Sequence, residues 1–553
     1  MEHASYSFPS HLVVLLEVGL LALAALAILR WPEPLAAAAR TVLAPFDRLG
    51  RWRRVALFAT LAAIANAGVC AIYGPPIPRV TDEYGYLLTA DTLSHGRLAN
   101  PPPPHPALTG RHALSSPTYA SKYPIGQGAL LALGQWLGSP VIGIWLGAAL
   151  LCGAAVWCFD GWLGKPAATA AALLLLLRVG VGSYWNQSYW GGSLAAAGGL
   201  LLYGGLGWMR RGRHLEGAAA AGCGGALLIL TRPFEGLLAS LPALAWLGAC
   251  LWKSRGAGRR TLLAGACVAL PAVLALGVTA LHDRAVTGDA LLLPHVHFER
   301  SHALAPEWVW SRFDAATGTS SWVDRPRKPH DHHGWWWRSL RHLFGRMARI
   351  SYFALGLSLA PVLVLVPCLR DPAWRLAALA CLAVVAGNAV VEVYFPHYSA
   401  PLLAPLYLAT FLSVEALARK PRRSALAWGA VLAALASSLA TAVVQAPAHR
   451  PDRVQPSDRM QQVRTRLAAE AGRHLVMTPT WQDLVFNGAD LADAPILWAA
   501  PENDQDWSEL EALYPDRTVW WFDPTAEPSL IRGEKHRRPP TVSPPDAPPP
   551  APS

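Results

Sequence analysis

Charge is what this chain of 553 residues has least of: Lys, Arg, Asp and Glu together make 15% of it, against about 25% in an ordinary soluble domain. That leaves too little polar surface to cover a set of soluble domains, and the apolar majority excludes a largely disordered chain. Cysteine is scarce as well. The eight present all lie in apolar stretches, with no Cys-x-x-Cys pair and no His at zinc spacing, so they read as packing residues and no disulfide framework is indicated. Nucleotide-binding signatures are missing: there is no GxxxxGK[ST] and no GxGxxG after a strand, hence no phosphate cradle for a nucleotide. The net charge of +11 would suit nucleic acid in a soluble protein. Beside long apolar runs it reads as basic cytoplasmic loops, and no nucleic-acid partner is expected.

What the chain does have is apolar runs long enough to cross a bilayer, which takes about 20 residues as a helix. Spans are expected near 12–30, 55–73, 139–159, 166–183, 191–208, 215–231, 236–252, 261–281, 351–368, 376–392, 402–417 and 424–445. The fold class is therefore an all-α polytopic membrane protein of about twelve helices. The first run lacks a basic n-region and is read as an uncleaved anchor. Arg-rich loops after the first, fifth, seventh, ninth and eleventh spans fall on one side, whereas the short loops 184–190 and 393–400 on the other face have no Lys or Arg. The positive-inside rule assigns the basic side to the cytoplasm. Loops 74–138 and 282–350, and everything after 446, are then extracytoplasmic, in a bacterial-type inner or plasma membrane. Segment 125–138 reads as a short re-entrant or interfacial helix, because a full span there would reverse every later loop.

Three parts follow: a transmembrane domain over 1–445, a small extracytoplasmic α/β domain over 446–531, and a disordered Pro-rich tail over 532–553. In the second, an amphipathic helix near 458–473, strands at 474–477, 494–498 and 518–522, and a helix near 507–514 carry the pattern. In loop 282–350, Trp335, Trp336 and Trp337 precede Arg338, Arg341, Arg346 and Arg349, a spacing suited to a helix lying among lipid headgroups.

Candidate chemistry lies on the extracytoplasmic side. Asp82 and Glu83 are adjacent acids just past the second span, where they repel each other and the anionic headgroups. They serve either catalysis or a helix N-terminus capped by Thr81. Lys122, before a Tyr-Pro step, is a point cation for a phosphate or an interfacial snorkel. Tyr184, Trp185, Asn186 and Gln187 alternate rings and amides, as sugar recognition requires, or form an aromatic belt with turn chemistry. Arg178 is a charge within an apolar run. Arg232 and Glu235, three apart across a proline, are expected to pair. His295, His297 and Glu299 would alternate on one side of an extended segment as ligands for a divalent metal, and His330, His332 and His333 cluster nearby.

The Asp82-Glu83 pair, the Lys122-Tyr-Pro step opening the next helix, and Phe395-Pro-His397-Tyr398-Ser-Ala-Pro401-Leu-Leu-Ala-Pro405 occur in that order on one side of many spans. In this the chain resembles the GT-C superfamily of glycosyltransferases, in particular protein O-mannosyltransferases and lipid A aminoarabinose transferases. His397 stands where that pattern usually has Arg or Lys. The resemblance implies Asp82 as catalytic carboxylate with Glu83 beside it, Lys122 as a phosphate contact, and His397 and Tyr398 at the site. It also implies inverting transfer of a sugar from a polyprenyl-phosphate donor to an extracytoplasmic glycan, lipid or protein acceptor, with membrane lipids around the site. No cofactor is implied with certainty, and a divalent metal stays open. Asp82, Lys122, Arg178 and His397 are then expected around one outer cavity. The rival readings are a lipid or glycolipid transporter or flippase, which would show broken helices and an internal repeat, and a non-catalytic envelope scaffold.

Overall fold

The computed structural model describes residues 11–181, 183–253, 258–302, 335–365, 368–391, 393–445, 455–478 and 481–533. The cluster at His330, His332 and His333, and the tail from 534, lie outside them. The helices are α1 (His11–Arg30), α2 (Pro32–Asp47), α3 (Arg51–Tyr73), α4 (Thr81–Ser94), α5 (Ile125–Trp136), α6 (Pro140–Trp162), α7 (Lys165–Leu175), α8 (Ser193–Arg210) and α9 (His214–Thr231). There follow α10 (Pro233–Lys253), α11 (Arg259–Thr287), α12 (Pro294–His302), α13 (Trp335–Leu365), α14 (Pro372–Ala389), α15 (Leu403–Ala418), α16 (Pro421–Gln445), α17 (Pro456–Ala468) and α18 (Asp504–Leu513).

Eight of these, among the described residues, are long and apolar enough to cross a membrane: α3, α6, α9, α10, α11, α14, α15 with its leading turn, and α16. The chain is a multi-pass membrane protein. The other four expected spans coincide with α1, α7, α8 and α13, which fall short of that measure. Three of them show why. α7 ends after 11 residues and passes into a π turn at Leu176–Val181. α13 is broken at Gly356, whose φ of 69° no helix contains. α8 is studded with glycine (Gly198, Gly199, Gly204, Gly205, Gly207), which lowers its hydropathy but lets neighbouring backbones close on it. An added Cβ at Gly205 would lie 2.3 Å from the Gly217 carbonyl oxygen of α9. α8 thus forms the middle of the bundle, packed against α6 and α9. At one end of the bundle Arg54 of α3 is buried, donating to both Asp160 carboxylate oxygens at 2.9 and 2.8 Å and to Thr169 at 3.1 Å.

The segment 74–138 carries α4, a short hairpin of β1 (Ala113–Leu114) and β2 (Ala120–Ser121), and α5. As expected, α5 is only 12 residues long, too short to span, and ends before Pro140. The C-terminal part has α17 and α18 on a four-stranded sheet ordered β4-β3-β5-β6, with β3 (His474–Met477), β4 (Ile496–Ala499), β5 (Thr518–Phe522) and β6 (Leu530–Arg532). β3 pairs parallel with β4 and β5, and β6, which the pattern did not announce, pairs antiparallel with β5. Both faces are covered, so β3 is buried along its length and β5 beyond Thr518, without an alternating exposed face.

The first loop completes both faces of that sheet. Tyr84 of α4 joins Met460, Val476, Trp498 and Trp520 on one side. Ala107 and Leu108 join Leu475, Leu497 and Trp521 on the other. The boundary at 446 therefore does not enclose a self-sufficient core.

Candidate active site

α4 starts from Val80, not from a Thr81 cap, and Thr81 is its first helical residue. Glu83 folds back over that start. One oxygen accepts the backbone N–H of Arg79 at 2.9 Å and of Val80 at 3.3 Å, and the other accepts the backbone N–H of Tyr189 at 2.9 Å. The carboxylate thus fastens α4 to the turn before α8 and has little left for a substrate. Complete burial pushes it up to about 7, against the pull of those three amides and of Arg79.

Asp82 turns the other way. The Tyr123 hydroxyl donates to its Oδ1 at 2.5 Å, and the Trp190 indole N–H donates to Oδ2 at 2.8 Å. Trp190 also lines a recess with Tyr86, Gln127, Gly191, Leu194 and Arg232. The Arg232 guanidinium lies 4.6 Å from the centre of the Tyr398 ring, and Asp82, Glu235, Tyr86 and Tyr398 all act on its charge. Beyond Trp190, the His397 ring packs at 4.5 Å and its Nδ1 is 2.8 Å from the Tyr184 hydroxyl. That hydroxyl also accepts the His397 backbone N–H at 3.2 Å. A carboxylate and a cation thus flank one aromatic wall, which suits a proton acceptor next to an anion-stabilising group.

No protein-family model matches the chain, and no curated protein matches it. Among solved structures, it is similar to ArnT from Cupriavidus metallidurans bound to undecaprenyl phosphate, with 12% identity, a TM-score of 0.51, and 84% of this chain and 88% of that chain covered. The chain shares the fold of that ArnT structure. A looser likeness, with a TM-score of 0.43 and 12% identity over 84% of this chain and 68% of that one, is to the Archaeoglobus fulgidus oligosaccharyltransferase in complex with Zn and sulfate.

Within this fold, Asp82, Tyr184, Arg232, His397 and Tyr398 gather around Trp190, and Glu235 is buried within electrostatic reach of Arg232. Lys122 follows β2 at the same end but is buried, its ammonium 4.1 Å from the centre of the Phe298 ring of α12. Trp185, Asn186 and Gln187 belong to the scaffold behind the recess. Trp185 packs on Phe353 at 5.0 Å, Asn186 donates to the Val179 carbonyl at 2.7 Å, and Gln187 donates to Asn66 at 2.6 Å.

Two expectations need correction. Arg178 does not join the cavity. It pairs with Glu17 of α1 and donates to the Tyr352 carbonyl at 2.6 Å, one of the carbonyls left over where α13 breaks at Gly356. Lys122, Arg178 and His397 are buried and Asp82 is part-buried, but Arg178 serves the bundle. His295, His297 and Glu299 lie on a helix, α12, not on an extended segment. Helical spacing pairs His295 with Glu299 at 2.9 Å and sends His297 to the Ser116 carbonyl at 3.2 Å. Among the described residues, no group of three His, Cys, Asp or Glu side chains is placed to hold a metal.

Sequence reasoning missed Tyr123, Trp190, Tyr86 and Gln127. Tyr123 and Trp190 sat beside residues already singled out, but in strings so rich in aromatics that no spacing distinguished them.

Proposed function

We propose that the protein is an inverting glycosyltransferase that moves a sugar from a polyprenyl-phosphate donor to an extracytoplasmic acceptor, with Asp82 as general base. The observation that carries the reading is the Asp82 carboxylate set beside Trp190 and the Arg232 recess at one end of a GT-C bundle. The ArnT structure of similar fold is bound to undecaprenyl phosphate, which supports a lipid-phosphate donor reaching this site from within the bilayer.

The chemistry follows from the groups present. An acceptor hydroxyl is a poor nucleophile, so Asp82 takes its proton as the oxygen attacks the anomeric carbon. The bond from that carbon to the phosphate oxygen breaks, and the polyprenyl phosphate leaves with the electron pair. Its growing negative charge calls for cations, and Arg232, with Lys122 behind Phe298, supplies them. A single displacement inverts the anomeric centre. Glu83 is assigned to the scaffold, since its oxygens hold backbone amides.

The broken α13 and the π turn after α7 are the kind of interruption a transporter shows, and they favour that second reading. Purified protein, given radiolabelled sugars on undecaprenyl phosphate and an acceptor extract, separates the two. The enzyme reading expects label to leave the lipid in a new glycosidic bond of inverted configuration. Labelled donor crossing proteoliposomes intact, with no bond made, would overturn it.

A further inference from the structure

A carboxylate acting as base must present a lone pair along a fixed line, because a misplacement of about 1 Å costs on the order of 100-fold in rate. Asp82 sits in the first turn of a helix with a side chain free to rotate, and α4 alone does not fix it. Two groups from different elements do. The Tyr123 hydroxyl holds Oδ1 and the Trp190 indole N–H holds Oδ2. Both donate to the carboxylate. Indole has no acceptor, and burial, then the charge of Asp82, holds the Tyr123 hydroxyl well above its ordinary range, so it keeps its proton. Each oxygen of the carboxylate retains a second acceptor site for the incoming proton.

The clamp is itself built into the fold. Tyr123 precedes the Pro124 that starts α5 and packs on Tyr86 at 4.9 Å. It reaches Asp82 by crossing α4 at Gly85, where an added Cβ would lie 2.6 Å from the tyrosine ring. Trp190 is fixed by Phe395 at 4.7 Å and His397 at 4.5 Å.

We infer that Tyr123 and Trp190 are positioning residues that set the orientation of the Asp82 carboxylate for proton abstraction, and that Gly85 is the gap through which Tyr123 reaches it. This rests on Asp82 being the base. Tyr123 acts on Asp82 from outside the recess lined by Trp190 and Arg232, so in Tyr123 variants donor binding stays as it is while turnover falls.

The test is a double-mutant cycle in the sugar-transfer assay with the full-length protein. Tyr123→Phe keeps the ring and its packing but removes the donor. In the wild-type background it lowers kcat by roughly 10- to 100-fold, the worth of one hydrogen bond to a charged group, with KM for the undecaprenyl-phosphate sugar changed less than about twofold. In the Asp82→Asn background the same change alters the residual rate by less than about twofold, because the partner it orients is gone. Gly85→Ala, whose new methyl group would displace the tyrosine ring, follows the same pattern.

A kcat for Tyr123→Phe equal to wild type overturns the inference. So does a loss of the same size in both backgrounds, which would mark a packing role. Full transfer by Asp82→Asn is a different failure, and overturns the functional reading beneath it.

Discussion

At the scale of single residues, two neighbouring carboxylates have opposite duties. Asp82 and Glu83 were legible in the sequence as a pair of acids with a reason to exist, but not as a division of labour. Glu83 accepts from a turn 106 residues further on, and no local pattern reports such a partner. Its proton has a consequence for stability. The fold holds that proton more tightly than the unfolded chain, since its value near 7 lies above the ordinary 4.5. The contribution is therefore complete below about pH 4.5 and is lost as pH rises through about 7. Thermal unfolding in detergent should fall more steeply from pH 5 to pH 8 for the wild type than for Glu83→Gln. Parallel curves would show that Glu83 does not titrate in that window. Arg178 teaches the same lesson from the other side. A charge in an apolar run was visible, but its partner Glu17 lies 161 residues away, and the helix break that supplies its carbonyls depends on a glycine that looks ordinary in sequence.

At the scale of elements, every expected span has a helix at its position, and eight of those helices, among the described residues, have the apolar length to cross a bilayer. The sequence was less informative about what happens inside those helices. The glycines of α8 mark where backbones touch, and hydropathy registers them only as weakness. Gly205→Ala places a methyl group against the Gly217 carbonyl and should cost about 3 kcal/mol through overpacking. Gly225→Ala, on α9 with nothing within 4 Å of the new carbon, should leave the unfolding temperature where it is or raise it slightly. Equal effects from the two would mean that α8 and α9 do not meet at this point. The helix at α12 shows the opposite weakness of pattern reading. Its alternating His-x-His-x-Glu suggested an extended strand, yet the fourth-neighbour spacing of His295 and Glu299 fits a helix as well, and the proline before them is favoured at a helix start.

At the scale of the whole molecule, the C-terminal sheet and the first loop form one unit, and Asp82 lies at its junction with the bundle. Strands β3 and β5 were readable from their apolar runs. That Tyr84 and Leu108 would finish their two faces was not, since this depends on contacts between segments more than 350 residues apart. Ion pairs join the same surfaces, such as Arg97 with Asp490 at 2.6 Å, but a pair this exposed is worth about 0.5 kcal/mol. The stacking of Tyr84 on Phe486, with ring centres 5.2 Å apart, buries more and should dominate. Phe486→Ala, at about 2 kcal/mol, should speed hydrogen exchange in the first turn of α4 well beyond Asp490→Ala, and the reverse order would make the docking electrostatic. The central claim is that this junction exists to hold Asp82 as a base, and sugar transfer by Asp82→Asn tests it most directly. Wild-type binding of undecaprenyl-phosphate donor with transfer lowered at least about 100-fold is the predicted result, and transfer equal to wild type would contradict it.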